Sequence, residues 1–387
     1  MAFAPAAVPL AARRPLASPH YRRRRGGSGG GGLLRHIERR SPAWLAAAMP
    51  PAEAAAGAPG TAPPPPPPPP PLPPTLTAAS ASAPVAAGAA AAATATAAPS
   101  PPTTPLPAST TSRTVRFPND VGDTLVGTLA VPPGATRAAV LCHGFRDSKA
   151  APLLAEVAAR LAAEGVASLR LDFRGCGESG GEWAFGNYAQ EAADVAAAVA
   201  WLHSGGGGGG SGDSGIANDG SGGGGGGDDA GRRWSVDAVA GHSKGAGSVL
   251  LFASKTAYPG LVVNIAGRFH MREGVRRRLG EDRWAALWRN GAVAMPGYTV
   301  TRESVEARFA LDMGAVAASL SPEATLLTIH GDADEVIPVA DAAAYAGVVP
   351  LGAHHTACIL EGACHKFVDY RPAVATAIVD AFVGRFG

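Results

Sequence analysis

Five residues, Gly241-His242-Ser243-Lys244-Gly245, set a serine between two glycines. They stand where a strand-like run, Trp234 to Ala240, gives way to a helix-like run, Ala246 to Lys255. A serine in so tight a strand-to-helix turn is held in a strained backbone conformation. Its flanking glycines let strand and helix pass, and its Oγ stands at the top of the sheet beside the positive end of the helix. The chemistry that suits such a serine is nucleophilic attack on a carbonyl with a covalent intermediate. That chemistry needs a base, a group to orient the base, and donors for the developing oxyanion. The bare string also fits a Gly/Ser-rich surface turn, so the choice rests on whether the chain supplies those parts.

It supplies them in order. Arg137 to Cys142 reads as a buried strand running into His143-Gly144-Phe145-Arg146, where the glycine permits a sharp turn. The backbone N–H of Phe145 can then point at a carbonyl oxygen, with the N–H of Lys244 as the second donor. A further strand, Ala324 to His330, leads into Gly331-Asp332-Ala333-Asp334-Glu335, which offers Asp334 as the acid with Asp332 and Glu335 nearby. After the short strand Thr356 to Leu360, a turn carries His365 as the base. Taken singly, Asp334 could cap a helix spanning Val336 to Gly347, His365 could be an ordinary loop histidine, and the His143 segment a plain turn. Taken together, all three positions fall just past the C-terminal ends of strands, where an open sheet gathers its functional groups. Cys364 beside His365 lacks a comparable turn and a partner of its own, so the nucleophile is assigned to Ser243.

The segments HGFRDSK, DFRGCGESGG, GHSKG, IHGDADEVIP and GACHKF together resemble α/β-hydrolases of the serine-aminopeptidase and esterase type. More narrowly, they are similar to a plant branch related to bacterial cinnamoyl and feruloyl esterases. The likeness runs from about Thr114 to Gly387 and implies Ser243 as nucleophile, Asp334 as acid and His365 as base. It implies hydrolysis of a small carboxylic ester, with thioesterase, peptidase, acyltransferase and slow-turnover receptor roles as alternatives within one fold. Ala246 departs from the pattern, since many relatives have a second glycine there. The extra methyl group should alter packing behind the serine rather than chemistry.

The elements that must position these groups alternate strand and helix. Arg113 to Phe117 and Thr124 to Ala130 alternate apolar and polar residues and read as an antiparallel edge hairpin. Ala151 to Glu164 reads as an amphipathic helix, Val166 to Phe173 as a buried strand, and Asn187 to His203 as a second helix. The expected fold is α/β, a doubly wound and mostly parallel sheet, with a small helical cap inserted after the sixth strand. That cap covers residues 268–320, with helix-like runs Glu273 to Gly291 and Thr301 to Asp312 and several aromatic residues. It would roof the acyl pocket, although any one of its aromatics could equally be an ordinary core contact.

Composition divides the chain. Residues 1–111 hold nine arginines against Glu38 and Glu53, a net +7, and the remainder carries −5. The basic excess therefore belongs to the leader, which argues against nucleic-acid binding by the folded domain. Residues 1–48, rich in Arg and Ala, have the composition of an organelle transit peptide, plastid or mitochondrial. A start at Met49 would instead leave a cytoplasmic protein. Residues 49–112 include the run Pro63 to Pro71 and read as a disordered linker before a hydrolase domain at 113–387. The stretch Ala89 to Ala98 is too short and too weakly apolar to span a membrane. Residues 205–231, almost all Gly, Ser and Asp, read as a flexible linker. They lack the G-K-[ST] of a phosphate-binding loop and precede a strand rather than follow one. The four cysteines, Cys142, Cys176, Cys358 and Cys364, show neither metal-type spacing nor a disulfide framework. No cofactor or metal is expected, and the expected partner is a small-molecule ester.

Overall fold

The computed structural model describes residues 104–206, 231–349 and 354–387. The leader at 1–48, the linker up to residue 103 and the glycine tract from 207 to 230 lie outside these. Residues 104–112, assigned from sequence to the linker at 49–112, are instead placed against the hydrolase domain: the Thr104 backbone N–H and Oγ1 donate to the Glu156 carboxylate at 2.8 and 2.7 Å, and the first strand begins at Thr111.

An antiparallel hairpin comes first, β1 (Thr111–Pro118) with β2 (Thr124–Val131). Strand β3 (Arg137–Cys142), helix α1 (Pro152–Ala163), strand β4 (Ala167–Asp172) and helix α2 (Tyr188–Ser204) follow. Strand β5 (Ser235–His242) leads into α3 (Lys244–Thr256), and β6 (Leu261–Ile265) completes this half. The second half holds β9 (Thr325–Gly331), α8 (Ala340–Ala346), β10 (His354–Leu360) and α9 (Arg371–Phe386). Eight strands form one sheet in the order β1-β2-β4-β3-β5-β6-β9-β10. Strands β4, β3, β5, β6, β9 and β10 run parallel, and β2 meets β4 antiparallel.

The strands are short apolar runs because both faces are covered. On one face α1 and α9 bury Leu154, Val157, Leu161, Ile378 and Phe382 against the sheet. On the other α2 and α3 bury Val195, Leu202, Val249 and Phe252. From β3 the chain moves outward to β4, then returns past β3 to β5. This reversal opens a crevice at the C-terminal ends of β3 and β5, the place where doubly wound sheets bind ligands. No helix among the described residues is long and apolar enough to cross a membrane.

The segment between β6 and β9 is more than the small helical cap that the sequence suggests. The run from Glu273 to Gly291 is two helices, α4 (Val275–Leu279) and α5 (Glu281–Asn290), separated by Gly280 at φ 78°, ψ 160°. Next comes a two-stranded antiparallel ribbon, β7 (Ala292–Met295) with β8 (Tyr298–Thr301), turning at Pro296 and Gly297. Proline pre-sets φ and glycine takes the positive φ of 75°, so this dipeptide reverses the chain where a helix would have to break. Helices α6 (Arg302–Phe309) and α7 (Met313–Ala318) follow, α6 capped reciprocally by Thr301 and Ser304. The insertion has its own apolar cluster, built on Val275, Leu279, Leu287, Val300 and Val305. Phe185 completes it from the β4–α2 loop, and Phe145 packs against it from the turn after β3.

Candidate active site

Ser243 lies between β5 and α3 with φ 56° and ψ −114°, a region L-residues rarely adopt. Its N–H donates to the Ile265 carbonyl at 2.8 Å. The neighbouring glycines are there for space. A Cβ on Gly241 would lie 2.2 Å from the Gly245 oxygen, and one on Gly245 would lie 2.3 Å from the His143 oxygen. The elbow is therefore wedged against both its own helix and the turn after β3. Ala246 is fully buried and turns its methyl group toward Gly267, on which a Cβ would come within 2.7 Å of it.

From Ser243 a hydrogen-bonded relay runs across the crevice. Ser243 Oγ is 3.0 Å from His365 Nε2, and His365 Nδ1 is 2.7 Å from Asp334 Oδ2. The other Asp334 oxygen accepts the N–H groups of Val336 and Ile337, both at 2.8 Å. His330 Nε2 approaches Asp334 Oδ2 at 3.3 Å from beneath while lying 3.0 Å from the Ile337 carbonyl. Burial alone would raise the Asp334 carboxyl. The hydrogen bonds from His330, His365 and the Ile337 amide outweigh it and hold the group well below the usual carboxylate range. Asp334 thus stays ionised. The two nearby acids are occupied elsewhere, Asp332 accepting the Gly362 N–H at 2.6 Å and Glu335 the His365 backbone N–H at 3.3 Å. Ser243, Asp334 and His365, proposed from sequence, are brought together.

The two amides read from sequence as oxyanion donors face no other acceptor. Neither the Phe145 nor the Lys244 amide has a hydrogen-bond partner among the described residues; Lys244 opens a helix, where the first amides have no intrahelical acceptor. Both residues line the same cavity as Ser243, about 300 Å³ in volume. The turn carrying Phe145 is pinned by His143, which is buried. Its Nε2 accepts the Phe173 N–H at 3.1 Å, so Nδ1 carries the proton and donates to the Gly144 carbonyl at 2.8 Å. Desolvation lowers the His143 pKa and keeps this tautomer neutral.

Charged residues of the quoted motifs hold the loops around the crevice. Lys149 Nζ reaches Asp172 and Glu178, each at 2.5 Å, and Asp172 also accepts the backbone N–H groups of Lys149 and Glu178. Arg174 grips Asp194 through Nε and Nη2 and reaches Asp120 at 2.7 Å. Removing one partner of such a buried pair leaves an uncompensated charge, typically a loss of about 3–5 kcal/mol. Cys142 and Cys176 are buried thiols; burial pushes Cys142 well up and Cys176 up to about 12.

Several site residues escape sequence reasoning. The Lys244 side chain, 5% exposed, turns away from solvent to the Glu191 carboxylate and the Asn187 side-chain oxygen, and Ser248 Oγ donates to Glu191 at 2.7 Å. The one available signal was a carboxylate on the alanine-rich face of α2. His242 donates from Nε2 to the His365 carbonyl at 2.9 Å, its ring centroid 5.1 Å from that of His365. Desolvation, with repulsion from His365, lowers its pKa to about 4. The cavity's aromatic wall is Phe145, Phe185 and Tyr188, and the insertion adds Arg268, Arg277, Arg278 and Arg308.

This arrangement of sheet, elbow and relay defines an α/β-hydrolase. The profile of the X-Pro dipeptidyl-peptidase (S15) family matches residues 74–342, taking in Ser243 and Asp334 and ending before His365, and the chain belongs to that family. Among solved structures it is similar to Est1E from Butyrivibrio proteoclasticus with ferulic acid bound, at 18% identity and a TM-score of 0.54. That match covers 70% of this chain and 98% of that one. It is similar also to the α/β-hydrolase GrgF from Penicillium sp. sh18, at 17% identity, a TM-score of 0.51, and 71% and 97% coverage. At such identities these structures speak for the fold alone. No curated protein matches the chain.

Proposed function

We propose that this hydrolase cleaves small carboxylic esters through an acyl-enzyme on Ser243. His365 Nε2 takes the hydroxyl proton as Oγ attacks the ester carbonyl. Asp334 fixes the Nδ1–H tautomer and stabilises the imidazolium. The Phe145 and Lys244 amides hold the tetrahedral oxyanion, and His365 returns the proton to the departing alcohol. Water, deprotonated by the same imidazole, then releases the acid. The observation that carries this reading is the unbroken relay of 3.0 and 2.7 Å from Oγ to the Asp334 carboxylate, opening onto the cavity. The aromatic wall suits an aryl or hydroxycinnamoyl acyl group.

Labelling with a fluorophosphonate, followed by a panel of aryl, alkyl and hydroxycinnamoyl esters, tests it. Ser243→Ala should abolish labelling and lower ester turnover about 10⁴-fold or more with the fold intact. Asp334→Asn should cost far more activity than Asp332→Asn. Retention of more than a few per cent of turnover by the alanine variant, or no labelling of the parent, removes the assignment. Family membership supports a second reading, cleavage of peptides. Parallel assays on Xaa-Pro anilides and on esters of the same leaving group decide between the two by their kcat/KM ratio.

A further inference from the structure

The insertion's wall of the cavity carries more cations than carboxylates. Five cations line the cavity against two carboxylates, Glu273 and Glu335. Two of the five are matched from behind, Lys244 by Glu191 and Arg268 by Asp341 at 3.9 Å. Glu273 also lies 3.9 Å from Arg268, and Glu335 accepts the His365 backbone N–H. Arg277, Arg278 and Arg308 are left without a carboxylate within 4.0 Å among the described residues.

Arg308 is the best placed of these. It is half-buried, and its hydrogen-bond and ring partners are neutral groups. Nε donates to the Met271 carbonyl at 2.8 Å, Nη1 donates to the Tyr188 hydroxyl at 3.2 Å, and the guanidinium lies 5.4 Å from the Phe185 ring centre. These contacts fix the plane of the guanidinium without cancelling its charge, which is how a rigid, pre-oriented anion receptor is made. Arg308 also repels Arg268 across the wall, adding to the burial that lowers the Arg268 pKa. Arg278 lies 4.7 Å over the Phe145 ring, which ties the cationic wall to the turn that supplies an oxyanion amide.

We infer that the cavity selects esters bearing a second, anionic group, a carboxylate or phosphate, which Arg308 holds while Ser243 attacks the ester carbonyl. The inference rests on the reading of Ser243 as nucleophile. It makes Arg308 a specificity residue, with Arg277 and Arg278 drawing the anion toward the mouth.

Matched substrates test it. The 4-nitrophenyl monoesters of adipic, suberic and sebacic acid are compared with their methyl-capped diesters, and with phosphonate-ended chains of the same lengths. The pair 3-carboxyphenyl hexanoate and its methyl ester places the charge on the alcohol half. At least one charged substrate should exceed its capped counterpart in kcat/KM by about tenfold to a hundredfold, the preference shrinking in 1 M salt. Whether carboxylate or phosphonate gains more identifies the anion. Arg308→Gln should bring that ratio down at least tenfold, whichever way the capped ester moves. Should the variant fail to fold, the salt dependence in the parent still decides. Capped esters hydrolysed with no charged preference at any length overturn the anionic subsite and leave Ser243 standing. No hydrolysis of any ester and no fluorophosphonate labelling overturn the reading of Ser243 itself.

Discussion

Asp334 uses both oxygens, one on two backbone amides and the other on His365 with His330 beneath, so its rotamer and its charge are set by the same contacts. His365 is fixed as fully. Its backbone N–H goes to Glu335 and its carbonyl takes the His242 Nε2–H, so the ring can do little except bridge Ser243 and Asp334. His242 is the residue here whose protonation has the clearest consequence. Its folded pKa of about 4 lies below the ordinary histidine value of about 6.5, so between these pH values the unfolded chain binds a proton that the folded chain refuses. The sign follows: its contribution is complete above pH 6.5 and is lost as pH falls toward 4, about 2 kcal/mol by pH 5. His242→Gln keeps a donor near Nε2 and removes the titration. Denaturant unfolding at pH 7 and pH 5 should therefore show a smaller acid-induced loss in the variant than in the parent. Parallel losses would mean that His242 is hydrated and titrates normally.

The elbow shows how little an element of this kind tolerates. A methyl group on Gly245 would stand 2.3 Å from a carbonyl oxygen of the turn that carries the Phe145 amide, and backbone cannot yield as a side-chain tip can. Gly245→Ala should lower stability by about 1–3 kcal/mol or more and should also displace Phe145, reducing ester turnover. Gly384 in α9 is the control, since nothing lies within 4 Å of a Cβ built there. Gly384→Ala should be neutral or stabilising by up to about 1 kcal/mol, with unchanged turnover. Equal melting temperatures for the two variants would show that the elbow relaxes. Elements were legible where their signal is local. Elbow, strands and the helices α1, α2 and α3 fall within two or three residues of the sequence reading because short apolar runs bounded by turns specify them, whereas the helix read from Val336 begins only at Ala340. The β7–β8 ribbon was not read, although Pro296-Gly297 marks it, because its two strands are only four residues each and fall in the gap between the helix-like runs that end at Gly291 and begin at Thr301. Glu191 was not read either, since a carboxylate on an apolar helix face acquires its meaning only when Lys244 arrives from 53 residues away.

At the scale of the whole molecule, strand order is the part least visible in sequence, because β6 meets β9 only after the chain has built an entire insertion between them. The order nonetheless fixes a prediction about the glycine tract. Ser235, at the start of β5, and Ser243, just past its end, are eight residues apart, about 26 Å of extended strand. The residues bracketing the tract therefore lie at the end of the sheet remote from the relay. They also hold one another. A Cβ on Gly205 would lie 2.7 Å from the Gly231 oxygen, and the Trp234 N–H donates to the Leu202 carbonyl at 3.3 Å. Buried Trp234 anchors the start of β5 without help from the tract. Replacing residues 206–230 with a four-residue Gly-Ser link should thus leave kcat/KM for esters within about twofold, since nothing near the transition state is touched. Closure entropy scales with the logarithm of loop length, so shortening should raise stability by about 1–1.5 kcal/mol and the melting temperature by a few degrees. A tenfold loss of kcat/KM at an unchanged melting temperature would show that the tract reaches the cavity from the far end of the sheet, and its reading as a linker would fall.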